Sequence, residues 1–129
     1  MGKIIAIANQ KGGVGKTTTC VNLAASLAEM RKRILVIDSD PQGNATMTSV
    51  MNKGTLEKTI YNILIEDMPA REAVVTETNG GYHLIPANED LTAAETQLMD
   101  CLAREFRLKN ALKELHQDYD FVFIDCPPP

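Results

Sequence analysis

A glycine-rich run with two lysines, Lys11-Gly-Gly-Val-Gly-Lys-Thr-Thr18, constrains the fold of this chain more than any other segment. An apolar stretch at residues 4–8 precedes it, and such a stretch is typical of a short strand buried on both faces. From Lys16 to Met30 the apolar residues recur at helical spacing, and residues 34–37 form a second buried-strand pattern. A strand, a glycine-rich loop, a helix and a strand predict a βαβ unit, in which neighbouring parallel strands are joined by a right-handed crossover.

The loop matches the phosphate-binding pattern G-x-x-x-x-G-K-[ST] at Gly15-Lys16-Thr17, although Gln10 stands at the position of the leading glycine. Glycines let backbone N–H groups converge on a phosphate without Cβ clashes, and the helix that follows adds its positive N-terminal end. Lys16 supplies a point charge to the β- and γ-phosphates, and the Thr17 hydroxyl is a ligand for Mg²⁺. A tight turn with incidental glycines is the alternative, and the adjacent lysine and threonine argue against it. The predicted phosphate-binding residues are Lys11, Gly12, Gly13, Val14, Gly15, Lys16, Thr17 and Thr18.

Acidic residues follow two of the predicted strands. The segment Asp38-Ser-Asp-Pro-Gln-Gly-Asn44 comes directly after residues 34–37, and taken alone it is typical of a polar turn. Phe121-Val-Phe-Ile-Asp125 is an apolar strand that ends in an acid, which is the Walker B pattern, so Asp125 is predicted to hold Mg²⁺ through water. Functional groups of open α/β sheets gather at the carboxyl ends of strands, which places both acidic segments beside the phosphate loop.

The first lysine of the loop, Lys11, makes it resemble the deviant Walker A motif of the family that includes ParA, MinD, the nitrogenase iron protein and the arsenite-pump ATPases. In that family the signature lysine reaches across a nucleotide-sandwich dimer to the partner's phosphates, and the resemblance assigns this role to Lys11. The segment after the second strand resembles the family's Walker A′ segment, which implies that Asp40 orients the attacking water and that Asp38 supports the magnesium shell. The resemblance therefore makes Lys11, Lys16 and Asp40 the catalytic residues, and Thr17, Asp38 and Asp125 the metal site.

Three segments resemble the chromosomal ParA (Soj-type) subgroup: Ala8-Asn-Gln-Lys-Gly-Gly, Asp-Pro-Gln-Gly-Asn-Ala-Thr46 and Leu-Ile-Pro-Ala-Asn88. The resemblance implies an ATPase, with ATP and Mg²⁺ as cofactors, that acts as a dimerisation switch in chromosome or plasmid segregation. Its implied partners are a second copy of itself, a ParB-type protein and non-specific DNA, the last through regions outside this chain. A MinD-like membrane-associated positioning ATPase and a small-molecule ATP-dependent enzyme on the same scaffold are the alternatives.

The predicted fold class is α/β, a parallel-sheet P-loop NTPase fold with flanking helices. The resemblance implies that the strand at residues 4–8 pairs with the strand at 121–124. Residues 1–129 are expected to be the N-terminal part of a single ATPase domain, apparently truncated after the Walker B strand, because complete family members are considerably longer. The remaining patterns predict further helices and one strand, with approximate bounds as follows: helices at 56–65, 70–75 and 88–116, the last either continuous or broken near Arg104, and a strand at 82–86.

The composition does not favour a different functional class of protein. The net charge of −4 provides no overall basic footprint for nucleic acid. The cluster Arg31-Lys32-Arg33 is interpreted as cations that complement the C-terminal dipole of the first helix. The three cysteines form no Cys-x-x-Cys pair, so reduced thiols are expected rather than disulfides or an iron–sulfur site. No apolar run approaches the length of a membrane span. We expect a cytoplasmic protein with no membrane partner, and the resemblance implies that it associates with the nucleoid when ATP is bound.

Overall fold

The computed structural model describes residues 3–8, 14–39, 44–49, 58–65, 68–76, 78–87, 110–113 and 115–126. Its strands form one sheet, and all described pairings within it are parallel. In chain order the strands are β1 (Lys3–Ala8), β2 (Ile34–Asp38), β3 (His83–Ile85) and β4 (Phe121–Cys126). In space the order is β1-β4-β2-β3. The predicted α/β class with a parallel sheet is confirmed.

Strand β4 lies between β1 and β2. Along one edge of β4, Val122 pairs with Ile4 of β1. Along its other edge, Phe121 pairs with Ile34 of β2. The predicted pairing of the first and last strands is therefore confirmed, whereas the expectation that β1 and β2 are direct neighbours is wrong. The reason is that the last strand inserts between them, so that its backbone groups are paired on both edges.

The apolar runs are continuous because the sheet is covered on both faces. On one face the side chains of β2, β3 and β4 pack against α3, defined as Ile60–Ile65, and against Leu112, Leu115 and Tyr119. On the other face the alternate side chains pack against α1, defined as Val14–Glu29, and α2, defined as Asn44–Ser49. All five residues of β2 are buried, as expected for a central parallel strand.

Two predicted helices are shorter in the structure. Helix α3 begins at Ile60 because Thr59 caps it: the Tyr61 N–H donates to the Thr59 hydroxyl (3.2 Å), and the Thr59 N–H donates to Asn62 Oδ1 (2.9 Å). The helix predicted at 70–75 is one 3₁₀ turn, Ala70–Ala73, because Val75 instead exchanges two backbone hydrogen bonds with Leu84. Most of the helix predicted at 88–116 lies outside the described residues, and its end is a 3₁₀ turn, His116–Asp118.

Helix α1 ends in a left-handed turn at a residue that is not glycine. Arg31 has φ 66°, its N–H donates to the Ala28 carbonyl (3.0 Å), and the Lys32 N–H donates to the Leu27 carbonyl (3.0 Å). This is the Schellman arrangement, in which glycine is the usual residue at the left-handed position. A side chain with a Cβ atom is strained there by about 1–2 kcal/mol.

We therefore expect Arg31→Gly to raise the free energy of unfolding by about 1 kcal/mol, since glycine adopts positive φ without a Cβ clash. Urea denaturation measures the change, and Arg31→Ala is the matched control because it removes the same charge and keeps the Cβ atom. The alanine variant is expected to show no gain. A glycine variant no more stable than the alanine variant would contradict the assignment of strain to Arg31.

Candidate functional site

Two aspartates stand side by side where β2 and β4 end. Asp38 and Asp125 are register partners in adjacent parallel strands, and both are fully buried. Beyond them the ladder continues, since the Ser39 N–H donates to the Asp125 carbonyl (3.0 Å). Burying two neighbouring carboxylates is unfavourable unless hydrogen-bond donors or a cation compensate their charge. The sequence predicted both residues as parts of one metal site, and the sheet brings them together.

The predicted phosphate loop leads into the first turn of α1. Strand β1 ends at Ala8, with Ile7 as the register partner of Asp125, and α1 begins at Val14. The first backbone N–H groups of a helix have no partner within it and form its positive end, which favours bound phosphate. The helix opens with five of the predicted phosphate-binding residues: Val14, Gly15, Lys16, Thr17 and Thr18. Lys11, Gly12, Gly13 and Asp40 lie outside the described residues, so their placement stays a prediction.

The Asp38 carboxylate is held by helix α2. Its Oδ2 atom accepts hydrogen bonds from the Thr46 N–H (2.8 Å) and from the Thr46 hydroxyl (2.6 Å). Two donors on one oxygen atom restrict the orientation of the carboxylate. The sequence analysis included Thr46 in a segment that resembles the family but predicted no role for it, because a partner eight residues away in the chain leaves no periodic signal.

The two aspartates fit a magnesium ion of the kind that accompanies a nucleotide. Mg²⁺ in phosphoryl-transfer sites is held by one or two protein carboxylates together with substrate phosphates and water. Within the described ranges no group of three or more His, Cys, Asp or Glu side chains is placed to hold a metal by itself. Asp38 and Asp125 match the arrangement of one or two carboxylates in ligand type, and they lie at the sheet edge where β1 ends before the phosphate loop.

A cavity of about 470 Å³ lies at the opposite end of the sheet, where β2 and β3 begin, and Ile34 and His83 line it. Two arginines at this cavity are already paired: Arg33 with Asp120 and Arg71 with Asp118, each at 3.3 Å. Backbone and side-chain hydrogen bonds from Arg33 lower the pKa of Asp120. Arg33, just before β2, is thus bonded to Asp120, just before β4. The sequence analysis interpreted the basic cluster only as a partner of the helix dipole and did not predict this contact. Ligand sites of open α/β sheets lie at the carboxyl ends of the strands, so the cavity is separate from the candidate site.

None of the helices that the structure describes combines the length and apolar character needed to cross a bilayer.

Comparison with known proteins identifies the family. The family described as AAA domain matches residues 2–129. Over 128 residues the chain is 50% identical to the sporulation initiation inhibitor protein Soj of Bacillus subtilis, covering 99% of this chain and 51% of that protein. It is 48% identical to the chromosome partitioning protein ParA of Myxococcus xanthus, covering 99% of this chain and 45% of that protein.

One solved structure is also similar along the whole chain. The crystal structure of cobyrinic acid a,c-diamide synthase from Mycobacterium smegmatis with bound ADP and magnesium superposes with a TM-score of 0.88 at 43% identity, covering all of this chain and 52% of that one. The chain thus spans about half the length of the relatives and structures that it matches.

Proposed function

Because the chain belongs to the AAA domain family and is similar to proteins named ParA and Soj, we propose that it is the phosphate-binding part of an ATP-hydrolysing partition protein. The observation that carries the proposal is the buried pair Asp38 and Asp125, aligned in register at the edge of the sheet where β1 also ends. Residues 1–129 then form the N-terminal part of one P-loop ATPase domain, with the Walker A, A′ and B segments.

Each predicted site residue has a distinct role in this proposal. The backbone of residues 12–18 and the Lys16 ammonium hold the phosphates of ATP, while Lys11 contacts the phosphates bound by a second protomer. Asp40 orients the attacking water in line with the leaving group. The residues that would hold Mg²⁺ are Thr17, Asp38 and Asp125. A bound magnesium ion would neutralise charge on the phosphate oxygens.

The proposed activity is a dimerisation switch driven by ATP. Binding of ATP and Mg²⁺ closes two protomers face to face, and the closed dimer associates with nucleoid DNA through regions outside this chain. A ParB-type partner stimulates hydrolysis, which releases the dimer. The support is the similarity to proteins named ParA and Soj together with the Lys11 position in the loop.

A small-molecule enzyme on the same scaffold is the second candidate, and the similarity to cobyrinic acid a,c-diamide synthase favours it. The two candidates differ in what ATP binding changes. A partition protein dimerises with ATP and is then retained on non-specific DNA, whereas an amide-forming synthase consumes ATP only when a carboxylic acid and a nitrogen donor are both present. Sedimentation and DNA retention with ATP and with ADP separate the two.

The switch is tested by asking whether Lys11 acts on the partner's nucleotide. Lys11→Ala and Asp40→Ala are each expected to be inactive as homodimers. In a mixed dimer the Lys11→Ala protomer keeps its own Asp40 and receives Lys11 from its partner, so one site is complete. With random pairing of equal amounts, ATP hydrolysis should return to about a quarter of the wild-type rate, since half of the dimers are mixed and each has one working site.

A matched mixture controls for any gain in hydrolysis that dimer formation alone produces. Asp40→Asn mixed with Asp40→Ala still binds ATP and forms dimers but leaves both sites defective, because Asp40 acts within its own protomer, and this mixture should show no recovery. Failure of the Lys11→Ala mixture to exceed this control would refute the cross-protomer role of Lys11. A protein that stays monomeric with ATP and Mg²⁺ in sedimentation would refute the dimerisation switch.

A further inference from the structure

Helix α2 is too short to be stable by itself, and buried hydrogen bonds hold it at both ends. It has six residues, whereas isolated helices shorter than about 12 residues are marginal in water. At its C-terminal end the Ser49 hydroxyl is hydrogen-bonded to the Tyr82 hydroxyl, and the Ser49 carbonyl accepts from the Asn79 N–H (2.9 Å). Tertiary contacts therefore determine where α2 lies.

At its N-terminal end, Thr46 connects Asp38 to the segment that follows β3. The Thr46 hydroxyl donates to Asp38, and it accepts a hydrogen bond from the Ala87 N–H (2.9 Å). A backbone N–H can only donate, so the Thr46 hydroxyl accepts from Ala87 and its own hydrogen is directed to the Asp38 oxygen. All three residues are fully buried, and such bonds are strengthened where water does not compete.

The segment after β3 also binds helix α3. The Pro86 carbonyl accepts from the Ile60 N–H (2.8 Å), while the next residue, Ala87, donates to Thr46. One short stretch of backbone thus links the first residue of α3 to the start of α2. The orientation of the Asp38 carboxylate consequently depends on β3, α2 and α3 as well as on its own strand.

We propose that Thr46 is a positioning residue of the nucleotide site, and that its hydroxyl holds Asp38 in the orientation that supports Mg²⁺. The inference rests on the proposed function, because it assigns Asp38 to the magnesium shell. Removing the hydroxyl takes one of the two Thr46 donors away from Asp38 and leaves the buried Ala87 N–H without its acceptor. Removal of a group that orients a metal ligand typically weakens metal affinity by about 10–100-fold.

Two substitutions of Thr46 test the proposal. Thr46→Val has nearly the same shape without the hydroxyl, and Thr46→Ser keeps the hydroxyl. ATP affinity is measured by calorimetry with Mg²⁺ present and with EDTA, alongside thermal unfolding. With Mg²⁺ the valine variant is expected to bind ATP at least about tenfold more weakly than wild type, and the serine variant within about threefold. With EDTA all three proteins should bind ATP equally.

The remaining outcomes are decisive as well. Equal affinities of all three proteins with Mg²⁺, or an equal loss in the valine variant with and without Mg²⁺, would overturn the role of Thr46 and leave the proposed function standing. A wild-type protein whose ATP binding does not depend on Mg²⁺ would overturn the magnesium assignment of the proposed function itself. If the valine variant does not fold, Thr46→Ala replaces it. Failure of both to fold, when the serine variant folds, would show that the hydroxyl serves folding and not Mg²⁺.

Discussion

Replacing Lys16 with alanine is expected to abolish ATP binding. The lysine is the main side-chain cation of the proposed phosphate site, and it belongs to the first turn of α1, where its backbone and the helix dipole also favour anions. Charge-assisted hydrogen bonds contribute about 1.5–3 kcal/mol each, and an ammonium group reaching two phosphates makes more than one. A loss of this size weakens binding by at least about a hundredfold.

Calorimetry with ATP and Mg²⁺ measures this loss, and Lys113→Ala is the control. Lys113 is an exposed lysine in a different part of the chain, after Leu112, so its removal changes the net charge by the same amount without touching the site. The control should bind ATP as the wild type does. Undiminished affinity in Lys16→Ala would count decisively against the phosphate-loop assignment.

Replacing Asp40 with alanine is expected to separate binding from hydrolysis. Losing the carboxylate that orients the attacking water removes stabilisation of the transition state and leaves the phosphate-binding groups in place. General-base and water-orienting groups contribute about 10²–10⁴-fold to a rate, so the hydrolysis rate should fall by this factor while ATP affinity changes little. Because hydrolysis ends the dimeric state in the proposed cycle, the variant should remain a dimer after ATP is added.

Phosphate release measures the hydrolysis rate, and light scattering in the same experiment measures the dimeric state. Asp118→Ala is the control, since Asp118 is an exposed acid that pairs with Arg71 at the opposite end of the sheet. This control should hydrolyse ATP normally and return to the monomer. Hydrolysis at the wild-type rate in Asp40→Ala would show that Asp40 has another role.

The sequence by itself determined the elements that depend on local pattern. Continuous apolar runs predicted β2 and β4 because a strand covered on both faces has no polar side to display. Apolar residues at helical spacing predicted α1, and the acid after the last apolar run predicted that Asp125 stands at a strand end. Those signals are local, because each one is carried by the residue types within a single short stretch of the sequence. The pairing of β1 with β4 came from resemblance to a known family.

The tertiary structure decided the features that depend on partners distant in the chain. Strand β4 separates β1 from β2, Val75 pairs with Leu84 instead of continuing a helix, and Arg33 pairs with Asp120, 87 residues away. Thr46 acquires its place in the same way, because its hydroxyl joins Asp38 to Ala87, 41 residues further along. A threonine in a polar segment has no periodicity that reveals such partners. The buried hydrogen bonds form only when β2, β3 and α2 are assembled, since a buried polar group must find its partner wherever the fold has placed one.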